Sequence, residues 1–225
     1  MARERGLQAP KLHPLPGFEL EEVDGDRLAA EESVDRARLR FGARGEARLD
    51  FAALTECDLP EPRLESLSTR GARLNEVRLS DVDIVTWHSR DASWRDVELG
   101  PGRVGSLDLS DGEVRAATVS GLRIGYIDLR AATLSDVLFE GCSIGSLDLP
   151  SASLTRVRFV DCTVDELDLR MAQCSSVDIR GLTIGARFEI SGRAGRPPLE
   201  GLYATPEQAA ELAPVLARTV GLTLL

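Results

Sequence analysis

No window of this chain approaches the roughly 20 consecutive apolar residues that a membrane-spanning helix needs. Its opening, MARERGLQAPKLHPLPGFEL, holds no apolar run of signal-peptide length either. Both absences point to a cytoplasmic protein without membrane contact. Lysine is nearly missing: Lys11 is the only one among 225 residues, so almost all positive charge is arginine, a bias compatible with a GC-rich genome. The net charge of −10 and a pI near 4.8 argue against a direct nucleic-acid or anionic-membrane binder, which would need a basic face. They permit an acidic surface that meets a basic protein partner.

Cysteine is scarce and scattered. Cys57, Cys142, Cys162 and Cys174 lack the close spacing of a metal site, and all four replace small or medium apolar residues in the pattern described below, so they read as packed thiols. Cys142 and Cys162 lie twenty residues apart and could stack, which leaves a disulfide open in an oxidising compartment. No catalytic constellation, metal-ligand set or cofactor motif emerges, so neither an enzyme nor a cofactor is expected. His88 is placed outward over Asp108, but it has no nucleophile or second ligand with which to do chemistry.

What is present is repetition. From Gly121 to Leu169 the chain reads LRIGYIDLRAATLSDVLFEG, then CSIGSLDLPSASLTRVRFVD, then CTVDELDLR. Every fifth residue is bulky and apolar (Ile124, Leu129, Leu134, Phe139, Ile144, Leu149), and the residue two before each is also apolar. A second period of twenty shows in identities, as in Ala132, Ala152 and Ala172. Such fixed-period self-similarity overrides local propensity in assigning a fold.

A five-residue period fits neither a helix nor a plain strand. It fits a chain that turns a corner every five residues, with two side chains per side pointing inward. Four sides make the twenty-residue period, so the chain coils as a square tube whose neighbouring coils pair as parallel strands at about 4.8 Å. About eight coils would give a rod on the order of 40 Å long. Gly105, Gly125, Gly145 and Gly185 recur on one corner, as this requires.

The motifs AATLSD, SASLTR and LDLRMAQC resemble those of the pentapeptide-repeat family: a small residue, Asp or Asn, Leu or Phe, then two polar residues. The resemblance covers residues 32–187 and is to bacterial members. It implies an all-β fold, a right-handed quadrilateral parallel β-helix. It also implies a second functional class, since some family members mimic duplex DNA and bind DNA gyrase, protecting it from quinolones or other poisons. The chain departs from the pattern in carrying Arg, Ser or Thr where the family favours Asp or Asn, as at Arg73, Arg123, Ser153 and Thr163.

The resulting organisation is an extended or disordered arm (1–17), an N-terminal cap (18–31), the β-helix (32–187), a linker (188–204) and a C-terminal helix and tail (205–225). In the cap, Phe18, Leu20 and Val23 alternate with acids before the turn Asp24-Gly25-Asp26. The five-residue phase runs unbroken to Ile184 and breaks at Arg187 and Glu189. Trp87 and Trp94 replace smaller inward residues while Gly112 replaces an alanine, which reads as volume compensation in a packed interior. Thr205, Pro206 and Gln208 make a helix start. The apolar face that follows, with Ala209, Leu212, Val215, Leu216 and Val220, either caps the last coil or forms a homodimer contact.

Two functions survive this reading. One is a non-catalytic protein-binding scaffold with no partner identified. The other is a DNA-mimicking modulator of a type II topoisomerase, DNA gyrase, acting through the column Asp108, Asp128, Asp148 and Asp168, one residue per coil on one face. Two charges about 4.8 Å apart repel by roughly 1 kcal/mol even in water, so such a column needs a reason. Neutralisation by neighbouring Arg90, Arg130 and Arg170 is the plainer one.

Overall fold

A computed structural model describes residues 6–17, 19–192, 197, 199–219 and 221. Its centre is a right-handed parallel β-solenoid of about nine turns, where about eight are expected from the sequence. The strands fall into a 12-stranded and an 8-stranded sheet, and every pairing between them is parallel. In coil after coil the strand of the 12-stranded sheet runs through a corner at its middle, as at Glu56, Glu76, Asp96, Ala116, Asp136 and Arg156. Thr133–Glu140, for example, pairs with Glu113–Ser120 on one side and Ser153–Val160 on the other.

The inward phase is the buried phase. Leu122, Ile124, Ile127, Leu129, Ala132, Leu134, Val137 and Phe139 make one coil of interior, and all are buried. Phe139 and Phe159 stack one coil apart with ring centroids at 4.9 Å. Burying a side chain of this size stabilises by about 1.5–3 kcal/mol, and the repeat collects that gain at each turn.

The corners carry the cost. Among the described residues nineteen non-glycine residues have positive φ, including Asp111, Ala131, Asp136 and Ser151, a conformation that costs an L-residue roughly 1–2 kcal/mol. Stacking compensates at many of them, where the corner donates its N–H to the next coil: Asp111 N to Arg130 O, Ala131 N to Pro150 O and Ser151 N to Arg170 O, each at 2.9 Å. The corner at Gly125 and Gly145 is different. A Cβ on Gly125 would lie 2.5 Å from the carbonyl oxygen of Gly105, and one on Gly145 2.4 Å from that of Gly125, so the glycine column lets coils approach backbone to backbone.

Trp87 and Trp94 are buried, with centroids 5.0 Å apart. Volume is half of the explanation. The other half is a hydroxyl chain: Trp87 Nε1 donates to Thr69 Oγ1 at 2.8 Å, Trp94 Nε1 donates to Ser89 Oγ at 3.2 Å, and Thr69 Oγ1 donates to Ser89 Oγ at 2.9 Å. Ser89 therefore does more than make room, since a buried indole N–H without an acceptor would cost about 1–3 kcal/mol.

Both ends differ in detail from the sequence pattern. At the start, Glu21–Asp24 pairs with Ala37–Arg40 and leads into a 3-10 turn at Gly25–Arg27; Phe18 lies outside the described residues. At the far end, pairing does not stop near residue 187. Leu182–Ser191 continues the array past a one-residue shift, so that Glu166 pairs with Arg187, Leu167 with Phe188 and Asp168 with Glu189. One inserted residue displaces the phase without ending the coil. Leu202–Tyr203, placed in the linker by sequence, pairs with Val177–Asp178.

The helix Pro206–Thr219 begins as its sequence indicates. Gln208 N donates to Thr205 Oγ1 at 3.1 Å, and Thr205 N donates to Gln208 Oε1 at 2.9 Å. Gln208 Nε2 also donates to the carbonyls of Ile179 (2.7 Å) and Leu182 (2.8 Å), which ties the helix to the last coil. Leu212 and Ala217 are buried, Val215 and Leu216 pack half-buried against the core, and Ala209 is exposed. Val220, Leu222, Leu224 and Leu225 lie outside the described residues.

Candidate interaction faces

Because coils stack in register, outward residues twenty apart form columns. On the 8-stranded sheet one column runs Arg48, Ser68, His88, Asp108, Asp128, Asp148 and Asp168. The one-residue shift then brings Glu189 opposite Asp168, so the acidic run has five members where residue counting ends at four.

These carboxylates are not bare. Asp128 and Asp168 are buried, while Asp108 and Asp148 are half-exposed. Asp108, Asp128 and Asp168 each accept the backbone N–H two residues on, from Ser110 (3.0 Å), Arg130 (3.0 Å) and Arg170 (2.9 Å). This bond closes the corner that follows the strand. Arg130 Nε then donates to Asp128 Oδ1 at 2.9 Å, and Arg170 Nε to Asp168 Oδ1 at 3.0 Å. Burial pushes the Asp128 carboxyl up, but the Arg130 side chain, its N–H and its charge outweigh that and leave it below the ordinary value. Tyr126 donates its hydroxyl to Asp148 Oδ2 at 2.8 Å, and burial together with this bond pushes the phenol up. Arg170 also reaches Glu189 Oε2 at 3.1 Å, and Arg187 pairs with Glu189. Arg90 pairs with Asp111 and Asp91, not with Asp108.

Tyr126, Asp148, Glu166, Asp168, Arg170 and Arg187 line a shallow polar groove of about 200 Å³ on this face. A wider groove of about 580 Å³ runs between Phe188, Ile190 and the helix residue Val215.

Half a coil away, on the 12-stranded sheet, the column Arg38, Asp58, Arg78, Glu98, Thr118, Leu138, Arg158, Asp178 alternates in sign with a two-residue neutral gap. Arg78 pairs with Asp58 at 3.5 Å and with Glu98 at 2.8 Å, and Arg158 with Asp178 at 3.7 Å. The sequence reading passed over this ladder, although writing the chain in rows of twenty would have exposed it. It also did not anticipate that the N-terminal arm lies on this sheet: Lys11 N donates to Asp136 Oδ1 at 2.8 Å, Leu15 N to Glu98 Oε1 at 2.9 Å, and Arg78 Nη2 to the Leu15 carbonyl at 3.3 Å. Asp136 is buried beside Arg156, whose Nε donates to it at 2.6 Å; that bond, against the pull of burial, holds its carboxyl below the ordinary range.

Sides of five residues, two inward positions per side and parallel pairing one coil apart across both sheets together define the architecture. The chain folds as a four-sided, right-handed parallel β-helix with sides of five residues. No family model matches it, and no curated protein does. Among solved structures it is similar to HetL, a pentapeptide-repeat protein involved in heterocyst differentiation regulation in the cyanobacterium Nostoc sp. strain PCC 7120. The identity is 16%, over 78% of this chain and 87% of that one, with a TM-score of 0.31. It is also similar to full-length QnrB1, a plasmid-mediated fluoroquinolone resistance protein, at 13% identity over 89% of this chain and 99% of that one, with a TM-score of 0.25. Neither likeness bears on the activity of this chain.

The cysteines sit inside the tube or beside it. Cys57, Cys142 and Cys162 are buried free thiols and Cys174 is half-buried. Cys142 N donates to Cys162 Sγ at 3.4 Å, in keeping with one-coil stacking. Among the described residues no group of His, Cys, Asp and Glu has metal-binding geometry, and no helix is long and apolar enough to cross a membrane.

Proposed function

We propose that this chain is a non-catalytic protein-binding scaffold. The observation that carries the reading is register: outward columns on both sheets hold their spacing across successive coils, so the tube offers a partner fixed rows of charge and hydrogen-bonding groups. A homodimer contact at the C-terminal helix belongs to the same proposal, supported by the wide groove beside Val215 and by the half-buried Leu216. The test is chemical cross-linking of the full chain in its host extract. A defined protein retained at a fixed ratio, and lost on outward substitutions that leave melting unchanged, supports the scaffold; recovery of none rejects it.

The second reading, mimicry of duplex DNA towards a type II topoisomerase, is favoured by the in-register acidic run from Asp108 to Glu189. Charge density opposes it. Duplex DNA presents a charge about every 1.7 Å, whereas this column presents one about every 4.8 Å, with Arg130, Arg170 and Arg187 set against it. A gyrase supercoiling assay with and without the chain separates the readings. Under mimicry, the fourfold variant Asp108→Asn, Asp128→Asn, Asp148→Asn, Asp168→Asn loses the effect and binding falls with salt. An unchanged assay leaves the scaffold with a different partner.

A further inference from the structure

The arm is seated by its main chain. Between Lys11 and Leu15 three hydrogen bonds join arm backbone to charged side chains of the tube: two N–H groups to the carboxylates of Asp136 and Glu98, and one carbonyl to Arg78. Glu98 borders the neutral gap of the ladder at Thr118, and Asp136 lies two residues before Leu138 in the same strand. The arm's exposure follows its chemistry at spacings of two and three: Leu7, Pro10, Leu12 and Leu15 are half-buried, while Gln8, Ala9, Lys11, His13 and Pro14 are exposed. Main-chain bonds together with apolar side chains set against the surface are how extended peptides are recognised, and Pro10, Pro14 and Pro16 lower the entropy lost in holding the segment extended.

The anchors do not need the arm. Asp136 is held by Arg156 at 2.6 and 2.7 Å, and Glu98 by Arg78 at 2.8 Å. Lifting the arm therefore strands no buried charge, so the seat is exchangeable. We propose that the outer face spanning Arg78, Glu98, Thr118, Leu138 and Asp136 is a docking track for an extended, proline- and leucine-containing peptide of a partner protein, with residues 6–17 as its displaceable cis occupant. This rests on the scaffold reading and supplies its surface and ligand chemistry. A tethered occupant competes at an effective concentration that can reach millimolar, so the partner must displace the arm to bind.

Lys11 provides the test, because it is the only lysine in the chain. A lysine-specific endoprotease acting on the native full chain cuts at this one site, and only while the arm is lifted, since cleavage needs several residues free and extended. The full-length double variant Leu12→Asp, Leu15→Asp unseats the arm without touching the tube, and is expected to be cut at least about tenfold faster. A fluorescent synthetic peptide of residues 6–17 carrying Lys11→Arg is expected to bind that variant, and to bind the wild-type chain at least about tenfold more weakly because the cis arm competes. Glu98→Gln added to the variant should weaken the peptide further, with unchanged melting as the control for folding. Equal cleavage of the two chains, no peptide binding to the variant, or equal binding to both chains overturns the proposal. The fourfold Asn variant leaves the arm and its track untouched, and cross-linking reports a partner wherever on the tube it docks, so failure here is distinguishable from failure of the scaffold reading.

Discussion

Two columns half a coil apart solve the same electrostatic problem in opposite ways. On the 12-stranded sheet, charges alternate from coil to coil, Arg38–Asp58–Arg78–Glu98, so each residue is stabilised by its neighbours along the rod. On the 8-stranded sheet, Asp108, Asp128, Asp148, Asp168 and Glu189 stack like on like; relief at Asp128 and Asp168 comes from within the coil, through the backbone N–H and the arginine two residues ahead, and at Asp108 through Ser110, whereas Asp148 accepts from Tyr126 one coil away. The ladder couples coils, whereas the acidic column closes corners. A stacked-acid column is thus no sign by itself of a surface kept for a partner, because the corner turn already employs the carboxylate.

The strongest perturbation removes what both columns stand on. Leu129→Asp or Leu149→Asp places an unpaired charge among buried side chains and is expected to abolish folding, at a cost of several kcal/mol, read by circular dichroism. Next is Arg78→Glu, which turns two attractive neighbours into two repulsive ones; a loss of up to about 2 kcal/mol in denaturant midpoint is expected. If it were neutral, the ladder would be ornamental.

A smaller contrast separates the columns directly. Arg130→Ala leaves the buried Asp128 without its guanidinium and should cost about 1 kcal/mol, discounted because the arginine is largely exposed. Arg158→Ala should stay within about 0.5 kcal/mol, since Asp178 keeps Arg180 at 2.8 Å. Equal effects would erase the distinction between corner closure and ladder.

The smallest effect is in pH. Asp128 titrates below its ordinary 3.8 because Arg130 outweighs burial, and Asp178 does so chiefly through the Arg180 hydrogen bond, with burial opposing. A depressed folded-state value means that the stabilisation is present above about pH 4 and is lost as pH falls through the lowered value. Melting temperature should therefore fall as pH drops below about 4, and Arg130→Ala should flatten that fall. An identical slope in both proteins would remove Asp128 from the account.

Much of the molecule was legible in residue order. Leu129 and Leu149 are inward because a five-residue side admits two inward positions, and Thr205 with Gln208 announces the helix through local hydrogen bonding. Where the period stops, legibility stops with it. Glu189 looked out of phase because one inserted residue shifts every later count, and pairing across coils restores it to the column. The helix face leaves capping and dimerisation open in residue order, and burial divides it: Leu212 joins the core, whereas Val215 and Leu216 are only half-buried.

The sequence by itself determined the coil: its side length, its inward phase and its corners, since each follows from the spacing of residues along one chain. Only the tertiary structure decided which charge meets which. Arginine reaches partners two residues ahead or one coil away with similar ease, as Arg170 does with Asp168 and Glu189, and spacing alone cannot choose between them. The arm shows the limit most plainly. Leu12 and Leu15 belong to no period, so nothing in their order foretells a seat on Glu98 and Asp136; that seat exists only once coils 83 and 125 residues further along have stacked to form the face.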